Sequence, residues 1–340
     1  MNPLLGERVA LKHGAGGRAM RMLIESIFVE GLAAEVDGVG LAAMDDGAAL
    51  RVGEQWLILT TDSHVVHPRF FPGGDIGRLS ISGTVNDLAM MGATEPLGLT
   101  CAVVLEEGFP FSELERIRDS MKAAAAEAGA RVVTGDTKVM RKGEVDGIVL
   151  NTTGVALTGT LVRDCDLRPG DRIIVSGSIG DHGFAVLAAR HGLDLQGDLR
   201  SDVAPVNGVV RLALRAGGVV ALKDPTRGGL ASTLHELAAK SGVGILLEEG
   251  AIPIHGEVRA ASELLGIDPL HVANEGKAVI GVRPESAEKV LGAIREHPLG
   301  RESAIVGTCL DDWKGKVILD TGFGKRLVAE IEGEPMPRIC

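Results

Sequence analysis

The 340-residue chain has no tyrosine, and with seven phenylalanines and two tryptophans its aromatic content is only 3%. So few flat side chains argue against a surface that reads nucleic acid by stacking on bases. A basic excess is missing as well. Acidic residues number 46 against 35 basic ones, a formal net charge of −11. That balance repels a phosphate backbone, and no basic run offsets it. Long apolar runs are absent: no stretch of about eighteen uncharged apolar residues occurs, so no membrane span is expected. The opening MNPLLGERVALKHGAGG carries charges where a signal peptide needs an apolar block. The chain therefore reads as soluble and cytoplasmic, with neither nucleic acid nor membrane as a partner.

Cysteine is scarce too. Cys101, Cys165, Cys309 and Cys340 show no CxxC spacing and no clustered histidines, which argues against zinc. Cys101 in LGLTCAVVL and Cys309 in AIVGTCL lie in apolar runs and read as small core residues. Cys165 reads as a loop residue with no role. Cys340 is the odd one, placed last behind Pro335 and Pro337. There is also no GxxxxGK[ST] P-loop and no GxGxxG fingerprint.

What is present suits a large core, at 45% hydrophobic residues over a length that fits two domains. Strand-like and helix-like segments alternate. QWLILTTD (55–62) predicts a buried strand. DIGRLSISGTVNDLAMMGA (75–93) predicts a helix, with Asp75 as N-cap and Ile81, Val85 and Leu88 at helical spacing. A strand from Pro96, an amphipathic helix ended by Gly129, and the strands RVVTGDT and GIVLNTTGVAL follow. At LRPGDRIIVSGSIGDHG (167–183) the pattern begins anew behind a Pro-Gly turn. The expected organisation is two α/β domains, 1–160 and 161–322, then a flexible tail over 323–340.

The acids carry the first functional signal. From Leu79 to Thr94 the only charge is Asp87, on a helix apolar on nearly every side. A lone buried carboxylate costs several kcal/mol unless something pairs with it. The pattern recurs: Asp62, Asp136 and Asp224 end strands, Asp45 and Asp46 precede one, and Glu275 lies just before another. Such positions point into the crevice where α/β proteins bind ligands. Clustered oxygens without His or Cys suit a hard cation, Mg²⁺ above all, which bridges carboxylates and phosphates. Glycine-rich HGAGGRAM (13–20) and DPTRGGL (224–230) could offer backbone N–H groups, and Arg18, Lys138 and Arg227 could offer charge. The chemistry points to a Mg–ATP enzyme of a non-P-loop type, although each acid alone could be a cap or turn former.

HGAGG, DDGAAL, TTDSHVV, SGTVNDLAMMGA, GDTKV, DPTRGGL, NEGKAVIGV and a terminal PRIC occur together and in order. With these motifs the chain closely resembles the HypE family of hydrogenase maturation proteins, over essentially its whole length. DPTRGGL and the acidic motifs are shared with a wider superfamily of aminoimidazole ribonucleotide synthetase, selenophosphate synthetase and thiamine-phosphate kinase, and PRIC singles out HypE. The resemblance implies a two-domain PurM-like ATP-binding fold (α/β, or α+β) with an extended C-terminal tail. Its N-terminal domain would bind ATP and Mg²⁺ and form a homodimer. It implies carbamoyl dehydration: a carbamoyltransferase, HypF, loads the terminal cysteine, here Cys340. ATP then activates the carbamoyl oxygen, and the resulting thiocyanate supplies cyanide to a HypC–HypD complex as an iron ligand of [NiFe] hydrogenase.

Carried onto this chain, the resemblance suggests Asp45 or Asp46 with Asp87, Asp136 and Asp224 at the metal. Gly14, Gly16, Gly17, Arg18, Asp62, Asn86, Gly135, Thr137 and Arg227 would lie around the nucleotide. Glu275 is the candidate base, with His271 as its rival, and Lys138 could stabilise phosphoryl oxygens. A tail from 324 to 340 reaches about 50 Å at ~3.3 Å per residue, and its two prolines favour an extended path. Arg338 could favour the thiolate, which the terminal carboxylate opposes. A superfamily enzyme acting on a free small molecule is the alternative. Against it, the glycine loop lacks the Cys or selenocysteine that selenophosphate synthetases often carry there.

Overall fold

The computed structural model describes residues 8–14, 16–193, 197–330 and 338–340. An N-terminal helical stretch comes first: α1 (Gly17–Leu23), a π turn (Ile24–Val29) and α2 (Glu30–Leu32). The first sheet contains β1 (Gly38–Val39), β2 (Ala48–Val52), β3 (Gln55–His64), β6 (Pro96–Glu106), β7 (Val132–Met140) and β8 (Ile148–Thr158). Between β3 and β6 lie the short pair β4 (Phe70–Phe71) and β5 (Gly74–Asp75). The sheet order is β1-β2-β3-β8-β6-β7, antiparallel except where β6 meets β7.

Helices α3 (Ile76–Met90) and α4 (Phe111–Ala128) cover one face of this sheet. Asp75 caps α3: its Oδ1 accepts from the N–H groups of Gly77 and Arg78 at 2.8 and 3.0 Å. The helix is buried on nearly every side, as its sequence predicts. Ile81, Val85 and Leu88 pack with Ile58, Leu99, Ala124 and Ala156, each large side chain stabilising by about 1.5–3 kcal/mol. Along β8 buried and half-buried residues alternate, the period of a strand with one face on a core. Edge strand β7 differs: every one of its residues is exposed.

The second sheet is built from β9 (Arg172–Val175), β10 (Val219–Lys223), β11 (Gly244–Glu248), β12 (Val279–Val282), β13 (Ala304–Leu310), β14 (Val317–Asp320) and β15 (Lys325–Leu327). Its order is β10-β12-β9-β13-β11-β14-β15. Around it lie α5 (Asp181–His191), α6 (Asn207–Ala216), α7 (Gly229–Ser241), α8 (Gly256–Leu265) and α9 (Ala287–Arg295).

The chain does not leave the fold at 323, contrary to the expectation of a tail from that point. A turn closed by Thr321 N–H to Gly324 C=O at 2.9 Å sends β15 back along β14. Val328 is fully buried in the second core. Pro335 and Pro337, on which an extended path was argued, lie outside the described residues. No helix among the described residues is long and apolar enough to cross a membrane.

Candidate functional site

A cavity of about 710 Å³ opens where the two domains meet. Its walls come from α1, the loop before β2, β3, α3, the end of β10, α7 and the loop before β12. Asp45, Asp46, Asp62, Asp87, Asp224, Arg227, Glu275, Gly16, Gly17 and Cys340 all line it. Gly16 has φ +80°, and a Cβ there would sit 2.9 Å from the Arg227 carbonyl oxygen. Only glycine lets the two glycine-rich loops approach this closely.

The acids here are crowded. Burial pushes the Asp87 carboxyl well above its ordinary range, and Asp224, Asp62 and Asp46 add to the rise. Thr60 Oγ1 donates to Asp87 Oδ2 at 2.8 Å and partly opposes it. Burial, then Asp46, lifts Asp224 to about 8. Burial, then Asp164 and Asp46, lifts Asp45 to about 7. Burial, then Asp224, Asp62 and Asp202, raises Glu275 well above its usual value. Two of these carboxylates have an orphaned buried oxygen, Asp46 Oδ2 and Glu275 Oε1. Like charges in a dry cleft raise one another in this way until a cation enters.

One cation is built in, and the sequence reading missed it. Lys223 is buried at the end of β10, with Nζ 2.5 Å from Asp46 Oδ1 and 3.5 Å from both Asp164 Oδ2 and Glu236 Oε2. Burial works against its charge, but Asp46, Glu236 and Asp164 outweigh burial and hold the ammonium. Lys240 Nζ lies 2.5 Å from Asp164 Oδ2 and donates to the Met44 carbonyl. A lysine ending an apolar strand is the same signal as Asp224 beside it, and could have been read.

Not every expected residue reaches the cavity. Gly135, Asp136, Thr137 and Lys138 sit on exposed β7, and Lys138 Nζ pairs with Asp136 Oδ2 at 2.7 Å. Within one chain they do not line the cavity. Gly14 and Arg18 are exposed and do not line it either. Asn86, expected at the nucleotide, is buried and turned away. Its Nδ2 donates to the carbonyls of Ala204 and Glu275, and its Oδ1 accepts from Val206 N–H. His271 lies in the 3-10 turn Pro269–His271, beside α7, and does not line the cavity.

The last three residues are docked. Val65 N–H donates to the Cys340 carbonyl and His67 N–H to the Arg338 carbonyl, both at 3.1 Å, as an added strand would pair. Arg190 Nη2 also donates to the Arg338 carbonyl, at 2.8 Å. The Arg338 guanidinium pairs with Asp146 and donates to the Val65 carbonyl. Ile339 is 1% exposed and packs with Val66, Phe71, Phe184 and Val203. His182 lies 2.8 Å from the Ile339 carbonyl through Nε2 and 2.8 Å from Ser201 Oγ through Nδ1. Burial keeps this ring's pKa below its ordinary value. The neutral ring therefore carries its proton on Nε2, because a carbonyl can only accept. Two of the other thiols are poorly placed for chemistry. Cys101 and Cys309 are core residues, and burial pushes Cys309 up to about 12.

Two domains around such a cleft define a class. Residues 44–158 match the family described as AIR synthase related protein, N-terminal domain, and residues 168–320 match its C-terminal domain. Thiamine monophosphate kinase of Aquifex aeolicus shares the fold, with a TM-score of 0.67 at 21% identity. Carbamoyl dehydratase HypE of Azotobacter vinelandii is 49% identical over 336 residues, covering 98% of this chain and 97% of that protein. A crystal structure of a HypE–HypF complex aligns with a TM-score of 0.85 at 44% identity, over 91% of this chain and 99% of that one. HypE solved with ATP aligns with a TM-score of 0.81 at 42% identity, over 98% of this chain and 100% of that one. The chain belongs to the HypE family of carbamoyl dehydratases.

Proposed function

We propose that the chain carries a carbamoyl group on Cys340 and dehydrates it in the cavity between its domains, using ATP. The chain is an ATP-dependent carbamoyl dehydratase of hydrogenase maturation. The observation that carries the fuller reading is the location of Cys340. It lines the same cavity as Glu275 and the acid cluster, held there through Arg338 and Ile339.

An amide oxygen is a poor leaving group, and phosphate is a good one. Phosphorylation of the carbamoyl oxygen leaves S–C(OPO₃)=NH after one N–H proton departs. Loss of phosphate with the second proton gives S–C≡N. The oxygen leaves with the phosphate, and ADP is the other product of the phosphoryl transfer. Of the two N–H protons, one goes to a base and the other departs with the phosphate. Glu275 lines the cavity, and burial with its acidic neighbours Asp224, Asp62 and Asp202 raises its pKa well above the usual carboxylate value, which suits a carboxyl group that exchanges a proton with the substrate. Arg227 at the cavity wall can face phosphoryl oxygens.

Mg²⁺ fits the donor set, which is all oxygen and includes the orphaned Asp46 Oδ2. Asp46, Asp87 and Asp224 would hold it, and when bound it would neutralise them and polarise a phosphoryl oxygen. Among the described residues no three such side chains converge as a closed cage. An ion held here would therefore need waters and phosphate oxygens to complete its ligands.

The reading includes a homodimer. The exposed edge strand β7 carries Val133 at 64% and Val139 at 67% exposure beside Asp136 and Lys138. A second copy covering β7 would bury these valines and bring Asp136, Thr137 and Lys138 toward a cavity they do not reach in their own chain. The partners are a HypF-type carbamoyltransferase, which loads the thiol, and a HypC–HypD-type acceptor of the cyano group, in the cytoplasm. Glu275→Gln tests the base. It should still bind ATP and accept the carbamoyl group, yet stall before the nitrile. Dehydration at the wild-type rate would move the role elsewhere.

A further inference from the structure

Glu275 sits in an irregular loop between Val272 and Lys277, with no helix or strand to aim it. A carboxylate that must meet a small group to within a fraction of an ångström needs its backbone fixed by other means. The neighbouring groups meet that need from both sides of one residue. The Glu275 N–H donates to Asp202 Oδ1 at 3.0 Å. The Glu275 carbonyl accepts from Asn86 Nδ2 at 3.3 Å and from Ala204 N–H at 3.4 Å. Asn86 is itself tied down, since it also donates to the Ala204 carbonyl and accepts from Val206 N–H at 2.8 Å. Asp202 is held by Lys277, whose Nζ lies 3.2 Å from Oδ2 with both side chains nearly buried. The next residue, Gly276, packs so tightly on the Asp202 carbonyl that any Cβ would collide with it.

Neither side chain lines the cavity. Asn86 is 1% exposed, and its motif neighbour Asp87 is the residue that faces the cleft. We propose that Asp202 and Asn86 are positioning residues for the dehydration step, which clamp the N–H and C=O of Glu275 so that its carboxylate stays aimed into the cavity. They act through Glu275 and touch neither nucleotide nor thiol. The inference rests on the reading of Glu275 as the base. Asn86 also links α3, which carries Asp87, to this loop, so base and nucleotide acids are set from one helix.

The test uses the full chain, loaded on Cys340 by its carbamoyltransferase. Single-turnover loss of water from the C-terminal peptide is followed by mass spectrometry, with ATP affinity measured in parallel. A misplacement of about 1 Å costs on the order of 10²-fold in rate. Asp202→Ala should therefore slow dehydration by roughly ten- to a hundredfold, while ATP affinity and the extent of carbamoylation stay within about twofold. Asp202→Asn keeps an oxygen acceptor for the Glu275 N–H and should recover most of the rate. If Asp202→Ala does not fold, Asn86→Ala cuts the other side of the same clamp and must show the same split. The proposal is overturned if Asp202→Ala dehydrates at the wild-type rate, if Asp202→Asn is as slow as Asp202→Ala, or if ATP affinity falls in step. Glu275→Gln run alongside separates the two levels. If it stalls while the Asp202 variants do not, the clamp is wrong. If it does not stall, the base is wrong.

Discussion

Asp87 and Asn86 are neighbours in sequence with different surroundings. Consecutive helical residues point about 100° apart. Asp87 therefore reaches the cavity while Asn86 faces the loops at 202–206 and 275. The charge on an apolar helix made Asp87 legible. Nothing in the pattern tells which way the adjacent amide points, so Asn86 was grouped with it. Lys223 is equally unusual at the end of an apolar strand, but the sequence does not show that Asp46, Asp164 and Glu236 converge on it from other elements. Asp87→Ala removes a carboxylate from the heart of the cluster, and Mg–ATP affinity should drop by about a hundredfold or more with the fold retained. Calorimetry giving an unchanged affinity would remove Asp87 from the site. A second residue-scale expectation concerns His255. Its Nδ1 lies 2.7 Å from Asp181 Oδ1 and its Nε2 3.0 Å from Glu302 Oε2. Burial opposes its charge, but those two carboxylates raise its pKa above the ordinary value near 6.5. A raised folded pKa adds stability below the unfolded pKa and loses it as pH rises through the folded one. The urea midpoint of the wild type should therefore fall relative to His255→Gln as pH climbs from about 6.5. Parallel curves would deny the pairing.

Elements show a similar division. Helix α3 was readable at its start and along its length, since Asp75 caps it and its apolar residues recur around every side because every side is covered. It ends at Met90, however, short of the expected residue 93. Leu88 is fully buried in that packing. Leu88→Ala should cost about 2–5 kcal/mol, read as a lowered denaturation midpoint with unchanged slope. The short strand β15 was not readable, since three residues after a glycine turn carry too little periodicity. The docked tripeptide was equally hidden, because its partners at Val65, Asp146 and His182 are far away in sequence. That docking makes a two-sided prediction. Ile339→Ala empties a buried site and should weaken docking by roughly 2 kcal/mol or more. Dehydration should slow at least about tenfold, while loading by the carbamoyltransferase should hold or quicken if it takes place on an undocked tail. Equal losses in both steps would mean Ile339 does something other than hold the tail in.

Across the whole molecule, two α/β domains were legible from the break at Pro169-Gly170. The placement of GDTKV was not. Strand β7 pairs along β6 and runs at the sheet edge, and no sequence period reports on which side of a fold an edge will lie. If a second copy completes the cavity, mixing Asp87→Ala chains with Asp136→Ala chains should restore about a quarter of wild-type activity through hybrid dimers. No recovery on mixing would assign Asp136 to its own chain. The central claim concerns Cys340, which lines the cavity. Incubation with the carbamoyltransferase and its substrates should add one carbamoyl group to the peptide ending in Cys340. Mg–ATP should then remove the mass of one water from that peptide alone. Cys340→Ala should lose both shifts and still bind nucleotide, since the acids belong to the folded domains. Peptide mass spectrometry that finds the group on Cys101, Cys165 or Cys309 instead, or finds no loss of water from the loaded tail, would contradict the account.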